Sequence, residues 1–500
     1  MLRLSGSPRR LCDGLTRRDF LRVGGLGPLG LTLADAFAPR PATAAPATAT
    51  AFGRARSCIL LFLYGSPPQH ETFDPKPDAP AEIQGEMKAI PTSVAGVRFC
   101  EGLPRVGQVA HELTVVRSMT HPYPVHGVAY AVSGIPTYDP SLEARARDSR
   151  HWPFIGSVVD YLAARAPSRE PRSQLPRNIA LPWMLNSKTD LLVNAGPFAA
   201  FLGQAYDPVW TDYTGAGVRP VPQYTDGQPK QYVDPFGGCT SDGRFQLSAD
   251  GRPPDDVPAG RLDARRSLLT QFDSARADVD RAGATGVFDR HRDRAYALLT
   301  SDAVRIALEI GRESLAVRES YGMTLFGQGC LAARRLVEAG SKFVTVFWDG
   351  YGQFSNCAWD THNNHYPRLK EYLLPGFDLA YSGLIRDLKS RGLLDETLVL
   401  CISEHGRTPQ IDSKPKGAGR HHWSRAYAAV FAGGGIARGR VVGASDRIGG
   451  DVKDCPISPK DVLATAYHLL GFDPHTTVPD TLGQPRPIAG DGQVRKELIG

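Results

Sequence analysis

The sequence has no hydrophobic run of the length that a membrane-spanning helix requires. After the N-terminal region, no segment of the 500-residue chain reaches the ~18 apolar residues of a span, so we expect no transmembrane segment there.

The chain also has little excess charge. The formal net charge is +6, and residues 1–44 supply +4 of it through seven arginines against three aspartates. The remaining +2 gives no reason to expect a nucleic acid or an acidic membrane surface as partner.

Cysteines are few and scattered. None of the eight belongs to a CxxC pair, and Cys12 lies in the N-terminal region, which leaves seven. An odd number without regular spacing is a poor disulfide framework. Cys58 and Cys401 lie inside apolar segments and are expected to be small core residues. The fold therefore depends on a large buried core, for which a chain of this length is sufficient.

The N-terminal region has the organisation of a targeting segment. Residues 16–21 (TRRDFL) have the pattern of a twin-arginine export motif, residues 23–38 are weakly apolar and glycine-rich, and residues 42–44 (ATA) fit a cleavage site. We therefore predict a twin-arginine signal peptide at residues 1–44 and an Ala/Thr-rich linker at 45–56. This route carries proteins that are already folded, so the mature chain, expected to be periplasmic or secreted, would acquire any metal before export.

Segments typical of strands alternate with segments typical of helices over residues 57–495. The clearest strand is the apolar run at 58–64 (CILLFLY), whose lack of alternation indicates burial on both faces. Further strands are predicted at 113–117, 342–348, 397–402 and 427–431, and helices at 126–133, 155–165, 262–282, 301–339, 366–391 and 460–470, the last with Ser458 as N-cap. This alternation predicts one α/β domain with a mainly parallel sheet and helices on both faces. Within it, residues 212–260 are rich in Gly, Pro and Asp, so we predict a long irregular insertion there.

Three short polar strings follow predicted strands in the last third of the chain. They are residues 359–362 (WDTH), 403–408 (SEHGRT) and 420–423 (RHHW). Because ligands bind beyond the carboxyl ends of parallel strands, we expect the strings to meet in one cleft. Carboxylates and imidazoles are the ligands of hydrolytic metal sites. Arg407 is a candidate for a bidentate contact with an anionic substrate. The candidate metal ligands in the strings are Asp360, His362, Glu404, His405 and His422.

These residues also have a purely structural interpretation. His422 stands beside Trp423, and a histidine in that position is often a packed, hydrogen-bonded residue. Asp360 fits a cap of the turn before the next helix, and Glu404 fits an ion pair with Arg407. Both interpretations stay open at the level of the sequence.

The chain resembles a known family, the exported proteins that carry domain of unknown function 1501. The resemblance covers residues 55–490 or so and depends on the three strings and on four further segments: 62–67 (FLYGSP), 72–77 (TFDPKP), 116–119 (VRSM) and 467–471 (YHLLG). That family is assigned to the alkaline phosphatase-like and sulfatase-like superfamily. The resemblance therefore implies an alkaline phosphatase-like sheet with a metal site at the strand ends.

The resemblance also implies a ligand that the strings do not contain. The superfamily has an acidic residue after the first strand, and Glu71 occupies a similar place here. The pair that is usually Asp-His in the superfamily is Glu404-His405 in this chain. Glutamate is one methylene longer than aspartate, so the ion would either sit differently or be absent. The other implied ligands are Asp360, His362 and His422.

The resemblance leaves the nucleophile unassigned. The superfamily places Ser, Thr or Cys at the start of the helix after the second strand, and residues 122–127 (PYPVHG) contain none of these. Ser118 and Thr120 lie upstream. The remaining candidates are a water molecule activated by the ion and His126, which is also a candidate general acid or base.

Two functional hypotheses follow. The first is an exported hydrolase that uses a divalent metal, with Zn²⁺ as first choice, to cleave a phosphate or sulfate ester of an anionic small molecule or a polysaccharide. The second is a catalytically degenerate binding or accessory protein of the cell envelope on the same fold, which the missing hydroxyl favours. The sequence leaves substrate, oligomeric state, metal identity and metal number open. The first hypothesis predicts tightly bound metal and esterase activity, whereas the second predicts no turnover of any ester.

Overall fold

The continuous apolar segments form the middle of a nine-stranded sheet. The computed structural model describes residues 51–123, 127–135, 142, 145–165, 175–189, 195–225, 228–248, 302–352, 358–413 and 418–500. The strands of the sheet are β1 (Ser57–Leu63), β2 (Leu113–Met119), β3 (Asn178–Leu181), β4 (Val209–Thr214), β5 (Arg244–Leu247), β6 (Phe343–Trp348), β7 (Thr397–Ile402), β8 (Tyr427–Ala432) and β9 (Arg440–Val442). Their spatial order is β9-β2-β8-β7-β1-β6-β3-β4-β5. The predicted signal peptide, the helix at 262–282 and His126 lie outside the described residues.

Strand β1 is central to the sheet. It pairs with a neighbouring strand along each edge, and its side chains are buried on both faces of the sheet. It pairs in parallel with β6 and β7, so that Leu60 lies opposite Thr345 and Leu400. All seven of its residues are buried. The parallel arrangement continues through β3 and β4, while β8 runs antiparallel to both β7 and β2. The carboxyl ends of β1, β2, β6 and β7 therefore share one edge, and the predicted mainly parallel sheet is confirmed.

Helices cover both faces of the sheet. They are α1 (Ala81–Gln84), α2 (Pro104–Gln108), α3 (Val128–Ser133), α4 (Ile155–Arg165), α5 (Asp302–Leu308), α6 (Leu315–Ser320), α7 (Leu325–Glu338), α8 (His365–Arg368), α9 (Leu374–Ser390) and α10 (Pro459–Leu469). A Cβ added to Gly156 of α4 would lie 2.9 Å from the Phe343 ring, and one on Gly329 of α7 would lie 3.0 Å from Val346. Phe343 and Val346 are an odd number of residues apart on β6, so these two helices pack on opposite faces. Within the described ranges, none of the helices combines the length and the apolar character that crossing a membrane requires.

Two of the predicted helices are interrupted. The segment predicted at 366–391 forms α8, a π-helical turn at Leu369–Leu373, and α9. Pro375 explains the change, because proline has no N–H to donate to the carbonyl of the preceding turn. The segment predicted at 301–339 is divided into α5, α6 and α7. By contrast, the N-cap of α10 is as predicted: the Ser458 hydroxyl accepts a hydrogen bond from Asp461 N within a capping box.

The described parts of the predicted insertion, residues 212–225 and 228–248, contain regular structure that was not predicted from the sequence. Strand β4 pairs antiparallel with β5 at the edge of the main sheet. Between them, Pro220–Thr225 and Gln228–Val233 form a hairpin. These strands are short and rich in proline, which hides the alternation that marks a strand in sequence. Smaller two-stranded ribbons pair Ala89–Pro91 with Arg98–Cys100, Gly406–Arg407 with His422–Trp423, Ala444–Ser445 with Val452–Asp454, and Thr477–Pro479 with Pro485–Pro487.

Candidate metal centre

A short ribbon joins the second and third polar strings at the carboxyl edge of the sheet. Gly406–Arg407 follows β7 and pairs antiparallel with His422–Trp423. The first string follows β6 and is fixed to the end of β1, because Trp359 N donates a hydrogen bond of 2.9 Å to Tyr64 O. The ribbon and this hydrogen bond therefore bring all three strings to one place. The third string was expected to follow a strand, but it lies ahead of the antiparallel strand β8, and its pairing with Gly406–Arg407 brings it to this edge.

Three side chains from two of the strings converge on a common point. His362 Nε2 lies 3.0 Å from Asp360 Oδ1 and 2.9 Å from His422 Nε2, and His422 Nε2 lies 3.3 Å from Asp360 Oδ1. Among the described residues, this triad is the group whose ligand atoms satisfy the geometry of a metal site. Two imidazoles and one carboxylate are a ligand set of Zn²⁺.

The dimensions of the triad fit a zinc ion. Tetrahedral bonds of about 2.0–2.1 Å separate two ligand atoms by about 3.3 Å. The observed separations of 2.9–3.3 Å are close to that value. Asp360 is the buried member of the triad. The side chains of His362 and His422 retain 25% and 22% exposure, so the triad is open to solvent on the side of the two histidines. Three protein ligands with an open fourth position are typical of catalytic zinc sites.

Arg407 lies beneath the triad rather than beside open solvent. Its Nη2 is 2.6 Å from Asp360 Oδ1, and its Nε donates a hydrogen bond of 3.1 Å to Ser66 O. Nη1 donates to Arg420 O at 3.3 Å, and Nη2 also donates to Gly65 O. The guanidinium is wholly buried. These partners favour a role in positioning Asp360 and the strand-end loops over the predicted contact with an anion.

Glu404 and His405 lie next to the triad but are held by other groups. Gly65 N donates a hydrogen bond of 2.8 Å to Glu404 Oε1. His405 Nδ1 donates one of 2.8 Å to Gly406 O, because a carbonyl oxygen can only accept. A neutral His405 therefore keeps its electron pair on Nε2. The ring of His405 stands 4.4 Å from the ring of His422, between centroids. Both residues adjoin the triad, and their predicted roles as ligands stay a prediction.

Glu71, which the family resemblance made a candidate ligand, forms a buried ion pair instead. Arg420 Nη2 lies 2.6 Å from Glu71 Oε1, and His365 Nε2 lies 3.4 Å from Oε2. Burial alone would raise the pKa of Glu71, but Arg420 and His365 together hold that pKa below its ordinary value. The carboxylate is therefore ionised and already neutralised by Arg420. A divalent ion at Glu71 would have to displace a buried guanidinium, so this pairing favours a structural role, and the ligand role of Glu71 stays a prediction.

The proposed acid–base histidine, His126, lies outside the described residues, but His121 nearby is fixed against the site. Its Nε2 donates a hydrogen bond of 2.7 Å to Glu404 O, and its Nδ1 accepts one of 3.2 Å from Tyr123 N. Burial lowers the pKa of His121 to about 4. His121 is therefore neutral at pH 7 and helps to line a surface cavity of about 500 Å³ beside Arg425. His121 was not predicted as a site residue, although it lies only four residues after the predicted strand at 113–117.

Ser66 supplies a hydroxyl just after β1, outside the segment 122–127 in which the superfamily would place its nucleophile. Ser66 follows β1 with a φ of 68°, a left-handed conformation that is uncommon for a residue other than glycine. Its Oγ accepts a hydrogen bond of 3.1 Å from His405 N, and the side chain is wholly buried. Ser66 therefore fixes the second string against β1 rather than presenting an accessible nucleophile.

A further carboxylate at a strand end, that of Asp349 after β6, is held by hydrogen bonds from neighbouring parts of the chain. It accepts hydrogen bonds from Trp183 Nε1, Asn186 N and Gly350 N at 2.9, 2.8 and 2.7 Å. Burial raises the pKa of Asp349 to about 7, against the effect of these donors. Asp349 connects the end of β6 to the loop after β3, which is a structural role.

The fold and the cluster define an α/β protein with a carboxylate–imidazole triad at the carboxyl edge of its sheet. The chain belongs to the family described as protein of unknown function (DUF1501), whose profile matches residues 55–499. This match confirms the family resemblance seen in the sequence. No curated protein sequence matches the chain.

Solved structures with a similar arrangement include three bacterial proteins of low sequence identity. The PsFucS1 sulfatase from Pseudoalteromonas sp. has 12% identity and a TM-score of 0.36 over 84% of this chain and 68% of its own. A protein of the alkaline phosphatase superfamily from Vibrio parahaemolyticus has 12% identity and a TM-score of 0.35, over 88% and 69%. The phosphonate monoester hydrolase SpPMH from Silicibacter pomeroyi has 12% identity and a TM-score of 0.34, over 88% and 76%.

Proposed function

We propose that this chain is an exported, metal-dependent hydrolase of phosphate or sulfate esters, with Asp360, His362 and His422 as the ligands of one divalent ion. The observation that carries the proposal is the triangle of 2.9, 3.0 and 3.3 Å between their ligand atoms. The nitrogen and oxygen donors favour Zn²⁺, and the open side of the triad leaves room for a substrate oxygen. Export by the twin-arginine route and the domain bounds 57–495 are part of the same proposal.

A bound divalent ion would polarise the ester oxygen and activate water. The protein would contribute the orientation of the groups around it. Arg407 holds the Asp360 carboxylate in one position, and Gly406 O holds the ring of His405. His405 Nε2, which carries an electron pair, is a candidate acceptor for a proton from water. Ser66 is wholly buried and therefore unsuited to attack an ester. The proposed step is attack by water on the phosphorus or sulfur atom, with cleavage of its bond to the ester oxygen, which leaves as the alcohol.

Metal content and ester hydrolysis test the proposal together. The mature protein, refolded or expressed with Zn²⁺, should contain one ion per chain and hydrolyse p-nitrophenyl phosphate or p-nitrophenyl sulfate. Asp360→Asn and His422→Ala should lose the ion and reduce turnover by more than roughly 100-fold. His475→Ala is the matched control, because His475 is an exposed histidine outside the polar strings. Wild-type protein without stoichiometric metal would contradict the proposal.

A second candidate is a binding protein that has lost the chemistry. The observation in its favour is that arginines already neutralise two of the predicted ligand carboxylates: Arg407 faces Asp360, and Arg420 faces Glu71. This candidate predicts no turnover of any ester and ligand binding that survives chelation. Equilibrium binding of inorganic sulfate or phosphate, measured with and without EDTA, separates it from the hydrolase.

A further inference from the structure

Polar contacts continue from the triad towards the surface along an unbroken path. His362 Nδ1 lies 2.8 Å from His421 Nδ1, and His421 Nε2 lies 2.9 Å from Asp412 Oδ2. At its inner end, His362 Nε2 is the atom that faces Asp360 and His422. We propose that Asp412 and His421 are positioning residues that fix the tautomer and the ring orientation of His362. The inference rests on the proposed function in one respect, since it takes His362 as a metal ligand.

The hydrogen-bond donors and acceptors along this path determine which nitrogen of each histidine carries the proton. A carboxylate oxygen can only accept, so His421 Nε2 donates to Asp412. A neutral His421 then has its electron pair on Nδ1, and His362 Nδ1 has to donate to it. A neutral His362 is thereby left with its electron pair on Nε2, where it can accept a hydrogen bond from His422 Nε2, 2.9 Å away. His362 Nε2 belongs to the triad, so the path selects the tautomer that binds a metal.

Backbone contacts hold His421 and Asp412 in place. His421 N donates a hydrogen bond of 3.0 Å to Thr408 Oγ1, and Thr408 N donates one of 2.9 Å to His421 O. Asp412 and Gly419 exchange two backbone hydrogen bonds of 2.8 and 3.0 Å. The path is therefore anchored to the same ribbon that carries His422. Side chains fixed at both ends in this way can orient a ligand without contacting the ion themselves.

The close approach of the third string to His362 has its own requirement. A Cβ on Gly419 would overlap the carbonyl group of His362. Residue 419 therefore has to be glycine for the strings to approach so closely, which is an observation independent of the hydrogen bonds. The imidazole of His421 lies against that of His362 with 5.0 Å between ring centroids.

Binding of cobalt tests the proposal, because its visible spectrum reports the geometry of the ligands. His421→Phe keeps a planar ring but removes both nitrogens, whereas His421→Asn keeps an acceptor near the position of Nδ1. We expect His421→Phe to weaken Co²⁺ binding by about 10–100-fold and to change the spectrum. His421→Asn should retain most of the affinity, and Asp412→Asn should give an intermediate loss. The matched control for these variants is the exposed pair of Asp473 and His475, through Asp473→Asn and His475→Phe.

A second measurement needs no metal. Nitrogen-15 NMR of labelled histidines at about pH 8, above the ordinary histidine pKa, gives the tautomer of each ring. His362, assigned through His362→Gln, should carry its proton on Nδ1 in the wild type and lose that preference in His421→Phe. A proton on Nε2 in the wild type, or unchanged cobalt affinity and spectrum in His421→Phe, would overturn the proposal. Wild-type protein that binds no cobalt would instead overturn the proposed function, while the NMR result still decides the role of His421.

Discussion

Arg407 Nη2 lies 2.6 Å from Asp360 Oδ1, and this same oxygen faces both His362 and His422. One carboxylate oxygen therefore contacts a buried guanidinium and the candidate metal position together. The guanidinium holds the carboxylate in place, and its charge also reduces the attraction for a divalent ion. Because Arg407 is wholly buried, water screens this pair little.

Replacement of Arg407 should separate these two effects. We expect Arg407→Met to destabilise the metal-free protein by about 3–5 kcal/mol, because Asp360 is left buried without a cation. Zn²⁺ should restore more stability to this variant than to the wild type, since the ion supplies the missing charge. Urea unfolding with and without Zn²⁺ measures both effects. Arg56→Met, which removes the exposed pair with Glu396, should change stability by less than about 1 kcal/mol. An equal gain from zinc in all three proteins would contradict the expectation.

The buried pair of Glu71 and Arg420 should contribute to stability and leave metal binding unaffected. We expect Glu71→Gln to cost about 3–5 kcal/mol, because it leaves Arg420 buried without its partner. The folded-state pKa of Glu71 lies below its ordinary value, so its contribution is complete above the unfolded pKa of about 4.3 and is lost as the pH falls further. The unfolding free energy of the variant should therefore vary less with pH below about 4.3 than that of the wild type.

Zinc content gives the second measurement on the same variant. Because Glu71 is engaged by Arg420 and His365, folded Glu71→Gln should bind as much zinc as the wild type. Loss of the ion from protein that is still folded would restore the ligand role that the family resemblance implied.

Much of this structure follows from the sequence, and the remainder depends on partners distant along the chain. The unbroken apolar run of β1 and the capping box at Ser458 are local patterns, and both were predictable. The position of Asp360 and His362 near the end of β7 follows from the parallel order of the strands. His422 joins them because its ribbon pairs with Gly406–Arg407, ahead of the antiparallel strand β8. The pairing of Glu71 with Arg420 does not, because 349 residues separate them and no local pattern selects that arginine over others.

The burial of Arg407 was unpredictable for a similar reason. In the sequence, an arginine three residues after Glu404 indicates a local ion pair or an anion contact. In the structure, the carbonyl groups of Gly65, Ser66 and Arg420 take up its donors, and these become its neighbours only when three strand ends meet. The strands β4 and β5 were missed because short segments near glycine and proline give too little alternation.

Protonation of His121 should make the protein less stable in mild acid. Burial lowers its pKa to about 4, below the ordinary value of about 6.5, so the unfolded chain binds more protons between these pH values. Stability should therefore fall as the pH decreases from about 6.5 to about 4, by up to about 1.4 kcal/mol per pH unit for this residue. His121→Gln, whose amide can still donate to Glu404 O, should reduce that slope. Urea unfolding at several pH values measures it, and an unchanged slope would show that His121 titrates normally.

Substitution of Gly419 should show whether the close approach of the strings matters to the metal site. In Gly419→Ala, the new methyl group would overlap the carbonyl of His362, and overpacking of this kind costs about 1–3 kcal/mol. The ring of His362 would then move relative to Asp360 and His422, so we expect weaker zinc binding as well as lower stability. Gly311→Ala is the matched control, because a Cβ there meets no atom within 4 Å. Calorimetric titration with Zn²⁺ and thermal unfolding should show losses in Gly419→Ala alone. Wild-type zinc affinity in Gly419→Ala would mean that His362 does not depend on this contact for its position.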